Sequence, residues 1–324
     1  MVEMSPEELR ALEEPLDPSL FSTLKRLVTD ENHRCVISLG GGSLPGMAGN
    51  IALLRMLEEL GLLDHVDEVW GTSAGACIGG AWASGRTADE ILDYTLRLKT
   101  EGGVDIKWFK LALGILLRPL GRPLPDGVIG GRVFWKVLEM TLKVKTFEEC
   151  RIPFRCIACT DDGRATRVVF RRGELLPAIF SSMSIPGIVV PRERRPGEEC
   201  GYYDGGLVEK TPLISPIADH SRLGDERQLL LIGTHFANDT RRTPLKGFLN
   251  RFLYSMYALE DLAWSYQLAE ARSKPNVTLV LLNPHLDDPA LFDFDRLRSN
   301  YLQARSVFIR ELQNARLAFS FGKS

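Results

Sequence analysis

Apolar residues fall along this chain in two rhythms. Short apolar-rich runs at 34–39 (RCVISL), 66–70, 154–160, 228–233 (QLLLIG) and 277–282 (VTLVLL) have the length of buried strands. A further run at 166–170 pairs with 154–160 around the turn Asp161-Asp162-Gly163. Between the runs, apolar residues recur at helical spacing. Ile51, Leu54, Leu57 and Leu60 predict a helix over about 47–60, stopped by Gly61. Similar patterns predict helices over 88–98, 133–142, 175–183, 244–272 and 295–317, with a charged helical arm over 5–28. Strands alternating with helices imply a mainly parallel sheet covered on both faces, a three-layer α/β/α sandwich. Residues 1–30 read as an N-terminal arm and 31–324 as one domain.

Composition narrows the classes. Apolar residues make up 44% of the 324, enough for a large core, and the net charge of −2 provides no basic field for nucleic acid. The six cysteines lack zinc-finger spacing, and Cys156-Ile157-Ala158-Cys159 lies inside a strand-like run, so buried thiols in a reducing compartment are expected. The acidic start lacks a signal-peptide apolar core, and no apolar stretch approaches the ~20 residues of a membrane span. A soluble, cytoplasmic protein is expected, or one exported without a signal peptide. The run 108–117, bounded by Gly and Pro, reads as a core helix or as a cap that touches lipid. The aromatic stripe in 244–272 reads as packing.

The candidate chemistry centres on Gly71-Thr72-Ser73-Ala74-Gly75. This G-x-S-x-G follows an apolar run and precedes small, helix-compatible residues, the context of a nucleophile elbow. A bare strand-to-helix turn would satisfy the same five residues. Gly71 and Gly75 remove Cβ atoms where the turn is tightest, and Ser73 would stand at a helix N-terminus that favours negative charge. Upstream, Gly40-Gly41-Gly42-Ser43-Leu44-Pro45-Gly46 can aim the N–H groups of Gly41, Gly42 and Ser43 at one point, as an oxyanion hole requires. Its spacing does not fit the dinucleotide-binding G-x-G-x-x-G. For the base two candidates stand. His235 follows LLLIGT at a strand end, and Asp204 opens Asp204-Gly205-Gly206, where burial would have to raise a carboxylate's pKa. No calcium-loop or zinc spacing appears, so neither metal nor cofactor is expected.

Taken together, GGGSLPG, GTSAG, SSMSIPG and DGGLVEKTP, in this order over 34–218, resemble the patatin-like phospholipase family. The resemblance implies a patatin-like fold and a lipid acyl hydrolase of the phospholipase A or lysophospholipase type. It implies Ser73 as nucleophile and Asp204 as general base in a Ser–Asp dyad. The N–H groups of Gly41, Gly42 and Ser43 would form the oxyanion hole, and Gly46, Gly71, Gly75, Gly205 and Gly206 would support the motifs. The segment Ile185-Pro186-Gly187 resembles one that packs near the site, without chemistry of its own. The implied partner is a phospholipid or other acyl-ester lipid, with peripheral membrane contact and no nucleic acid. One departure stands out: where the family pattern has a third Gly and a basic residue, this chain has Ser43 and Pro45. Two rivals remain, a Ser-His-Asp esterase or acyltransferase using His235, and a non-catalytic lipid-binding protein on the same fold.

Overall fold

The computed structural model describes residues 14–100, 105, 126–192, 199–237, 248–284, 286 and 294–313. The strands among these residues are β1 (His33–Leu39), β2 (Glu68–Thr72), β3 (Gly127–Ile129), β4 (Phe154–Thr160), β5 (Arg167–Phe170), β6 (Gly187–Val189), β7 (Tyr202–Asp204), β8 (Gln228–Thr234) and β9 (Val277–Leu282). The main sheet runs β5-β4-β2-β1-β8-β9, with β7 joined to β4. β4, β2, β1, β8 and β9 are mutually parallel, while β5 and β7 run antiparallel to β4. β3 and β6 form a separate parallel pair.

The helices are α1 (Ser22–Val28), α2 (Ser43–Glu59), α3 (Ala74–Ala83), α4 (Ala88–Thr100), α5 (Arg132–Thr141), α6 (Leu175–Ser182), α7 (Gly206–Glu209), α8 (Ile214–Leu223), α9 (Phe248–Arg272) and α10 (Leu297–Gln313). Alternation along the central strands assigns them to two faces. Cys35, Ile37 and Leu39 of β1 face a core shared with α2, α3, α5 and α10. Val36 faces the other, with Leu213, Ile217 of α8 and Ala271 of α9. Both faces being covered explains why β2 is buried throughout, its Glu68 held by Arg34 and Arg155. The expected α/β/α sandwich is the architecture observed.

Several boundaries differ from expectation. The second helix starts at Ser43, four residues early, because Pro45 falls in its first turn, where no intrahelical N–H is needed. The described part of the N-terminal arm is a 3₁₀ turn (Pro18–Phe21) capped by Asp17, followed by α1, so the chain breaks at Pro18 instead of running as one helix. The short strands β3 and β6 and helices α7 and α8 carry too few periodic residues to be read from the chain. In α9 the aromatic stripe divides. Trp264 packs inward, while Tyr266 stands 71% exposed. Residues 108–117 lie outside the described residues. Cys156 and Cys159 are buried free thiols, three residues apart on β4 and therefore on opposite faces of the strand. Among the described residues no helix is long and apolar enough to cross a membrane.

Candidate active site

The sharp turn between β2 and α3 is built by its glycines. A Cβ on Gly75 would lie 2.0 Å from the Leu39 carbonyl oxygen of β1, and one on Gly71 would lie 2.5 Å from the carbonyl oxygen of Gly75. Strand and helix can therefore close together only because these side chains are absent. Ser73 stands at the apex with φ 54° and ψ −119°, a conformation that costs an L-residue about 1–3 kcal/mol. It precedes the first residue of α3, whose Ala76 and Cys77 N–H groups donate to its carbonyl. Its own N–H donates to Ser182 Oγ at 2.9 Å, and that hydroxyl donates onward to the Ile157 carbonyl of β4.

Asp204 ends β7. β2 and β7 share one edge of β4, because β5 occupies the other. Thr72 is paired with Ile157, and Asp204 with the next residue, Ala158. The end of β7 is thus delivered to the point where β2 turns into the elbow. A Cβ on Gly205 would lie 2.3 Å from the Ile157 carbonyl oxygen, so the close approach after Asp204 requires glycine. The Asp204 N–H donates to the Ser184 carbonyl and the Gly205 N–H to the Ser182 carbonyl. The segment Ser181–Ser184 therefore ties both sides of the site to one another.

The Asp204 carboxylate is buried, and burial pushes its pKa up to about 7. The Ser73 hydroxyl and the Gly206 N–H, which donates to Oδ1 at 2.7 Å, pull in the opposite direction. Oδ2 makes no hydrogen bond to any described residue. Two charges act from further out. Glu260 of α9 raises the Asp204 pKa and Lys210 lowers it. These two form a buried ion pair at 3.2 Å, and Glu260 Oε1 lies 3.5 Å from where a Gly206 Cβ would be.

The glycine loop lies against the elbow: a Cβ on Gly41 would be 3.1 Å from Ser73 Cβ. Asn50 Nδ2 holds the Gly40 carbonyl, and Phe236 packs on Gly42. The Gly41 N–H, expected to aim at substrate, instead donates to the Lys210 carbonyl at 2.8 Å. That group is committed to bracing the loop against the run after Asp204. Gly42 caps α2 and Ser43 is its first residue. Ser43 sits at φ 54°, a left-handed position that L-residues rarely adopt.

His235 is buried. Its Nδ1 meets Thr211 Oγ1 at 3.0 Å and its ring stacks on Trp264 at 3.7 Å; neither contact is with Ser73 or Asp204. Sequence reasoning missed Ser182, Asn50 and Glu260. The SSMSIPG run was the visible signal for the first, but a serine among serines does not reveal which hydroxyl meets the elbow. Among the described residues no group of His, Cys, Asp and Glu is arranged to hold a metal ion.

A cavity of about 380 Å³, counted out to its mouth, opens at Ser73 between Leu44 and Met47 of α2, Phe134 of α5, and Met183. Apart from Ser43 and Ser73 its walls are apolar. The site can thus offer a hydroxyl, a buried carboxylate, a helix N-terminus and a hydrocarbon-lined space together.

Comparison with known proteins gives three results. The family model described as patatin-like phospholipase matches residues 37–217. Neuropathy target esterase sws of Drosophila grimshawi and that of Drosophila melanogaster are each 31% identical to this chain over 201 residues, 62% of this chain and 13% of theirs. This chain therefore corresponds to a small part of those relatives. Among solved structures, VipD from Legionella pneumophila aligns at 15% identity with a TM-score of 0.42, covering 88% of this chain and 67% of VipD. Human GIVD cytosolic phospholipase A2, solved with methyl γ-linolenyl fluorophosphonate, aligns at 15% with a TM-score of 0.40, covering 96% and 64%. With the matched model spanning more than half of its length, from β1 into α8, the chain belongs to the patatin-like phospholipase family.

Proposed function

We propose that this chain hydrolyses carboxylic esters of lipids, of the phospholipase A or lysophospholipase type, through a Ser73–Asp204 dyad. The observation that carries the reading is the convergence of a strained serine and a buried carboxylate on successive residues of β4, at the mouth of an apolar cavity. Family membership and the esterase and phospholipase names of the relatives support the substrate class.

In this reading Asp204 accepts the Ser73 proton as Oγ attacks the acyl carbonyl. A carboxylate with a pKa near 7 is a far better base than an ordinary aspartate and is still ionised at neutral pH in a large fraction of molecules. The tetrahedral oxyanion is held by the Gly42 and Ser43 N–H groups, with Gly41 bracing the loop, and the positive end of α3 lies beside it. Collapse returns the proton from Asp204 to the leaving alcohol and leaves an acyl-serine. Asp204 then activates water, which releases the fatty acid and restores Ser73. No metal or cofactor enters these steps. A lipid ester is presented at an interface, so the protein meets membrane or micelle surfaces peripherally.

Purified protein is assayed on p-nitrophenyl butyrate beside Ser73→Ala and Asp204→Asn. Each variant is expected to lose at least about a hundredfold in kcat/KM, and only the protein retaining Ser73 should be labelled by a fluorophosphonate. Retained turnover in either folded variant overturns the dyad. Loss confined to His235→Gln would transfer the base role to the imidazole, and an unlabelled Ser73 with no turnover would leave lipid binding alone.

A further inference from the structure

Next to the Ser73 cavity lies a second one, of about 350 Å³ counted out to its mouth. Its walls come from α3, α4 and α5, with Cys77, Ile78 and Ala81 along one side. Met47 and Phe134 line both spaces. Cys77 Sγ of the second meets Met183 Sδ of the first at 3.6 Å. The two cavities are therefore separated by the thickness of a few side chains.

The chemistry of the second space is that of hydrocarbon. Its two hydroxyls are already spent: Thr95 Oγ1 donates to the Ile91 carbonyl and Thr141 Oγ1 to the Val137 carbonyl, each one turn back in its own helix. Among the described residues no charged side chain lines it. A space so lined has no affinity for water or for a polar headgroup. Its position fits a chain tethered at Ser73. Cys77 is one helical turn beyond the serine along α3, about 6 Å, and Ala81 two turns, about 12 Å. Methionine, with three rotatable bonds, is the side chain best able to swing aside between the two spaces.

Resting on the reading of Ser73 as nucleophile, we propose that the two cavities form one acyl site with Met47 and Phe134 as its movable partition. The near chamber takes the first carbons of the acyl chain, and the far chamber, along Cys77–Ala81, takes the tail and selects long-chain esters.

The test uses binding and turnover in parallel. In Ser73→Ala, a dansyl-labelled fatty acid is displaced by carboxylates from butanoate to hexadecanoate. Affinity is expected to climb about fourfold per methylene until the far chamber is filled. Ala81→Phe, which fills that chamber, should end the climb several carbons earlier and cost hexadecanoate at least tenfold. Phe134→Ala, which removes half of the partition, should change the chain-length profile in the opposite direction. Wild-type kcat/KM on p-nitrophenyl esters should follow the same profile. An unaltered profile in both folded variants, or no displacement by any chain, overturns the acyl site. If Ala81→Phe does not fold, the Phe134→Ala profile decides. Chain-length-dependent binding without turnover retires the hydrolase reading and keeps the acyl site. Turnover whose profile ignores both substitutions does the reverse.

Discussion

Ser73 and Asp204, 131 positions apart in the chain, are brought to one edge of β4 because Thr72 pairs with Ile157 and Asp204 with the next residue, Ala158. β2 pairs with β4 as far as Ile157, and β7 takes over the same edge at Ala158, antiparallel. The C-terminal ends of β2 and β7 thus face each other on that edge, with Ser73 just beyond one and Asp204 closing the other. Ser182 then bonds to the elbow through its hydroxyl and to the aspartate side through its carbonyl, so the spacing is set by the backbone on both flanks.

The raised pKa of Asp204 makes a paired prediction. Its folded value is about 7 against an ordinary 3.8, so ionisation is disfavoured in the folded state. The protonated form's contribution to stability is fully present below pH 3.8 and is lost as pH rises to about 7, a change on the order of 4 kcal/mol at about 1.4 kcal/mol per unit. In the proposed mechanism activity runs the other way, because Asp204 can act as base only when ionised: kcat/KM should rise with pH through a midpoint near 7. Thermal unfolding of Asp204→Asn should lack this stability loss between pH 4 and 7, which melting curves of both proteins at several pH values would reveal.

Glu260 faces the same carboxylate from α9 and raises its pKa, while Lys210 lowers it. Removing the glutamate charge in Glu260→Gln should move the midpoint of the pH–kcat/KM profile to lower pH. A profile that stays in place in the folded variant would mean that the Lys210–Glu260 pair acts only as a tether between α9 and the loop.

Ser182 touches no substrate in this arrangement, yet its hydroxyl is the partner of the Ser73 N–H. Ser182→Ala leaves that buried N–H unpaired and should lower kcat more than it raises KM, by about tenfold or more for a lost buried hydrogen bond of 1–3 kcal/mol. Ser182→Thr, which keeps the hydroxyl, should recover much of the rate. Equal kcat in Ala and Thr variants would remove Ser182 from the positioning of the elbow.

Ser73 holds its backbone at φ 54° at a cost of about 1–3 kcal/mol. Ser73→Gly should therefore abolish turnover and yet unfold at higher denaturant concentration than Ser73→Ala. Urea titrations of the two variants give the comparison directly, and equal midpoints would show that the turn carries no strain at this residue.

What could be read in the chain and what could not follow from the range of the forces involved. The elbow was legible because its constraint is local: Gly71, Ser73 and Gly75 must be small or strained within five consecutive residues whatever surrounds them. The parallel sheet was legible because strands covered on both faces leave long apolar runs in the sequence. From the motif resemblance came the candidate pair itself, but not how it is assembled. Pairing of β2 and β7 along one edge of β4 depends on contacts among segments far apart in the chain, and β7 is only three residues long, too short to carry a pattern. The same holds for the Gly41 N–H, which the sequence aimed at substrate and the fold aims at the Lys210 carbonyl. Hydrogen-bond direction is decided by which backbone groups the packed elements bring within about 3 Å, and one-dimensional spacing carries no record of it.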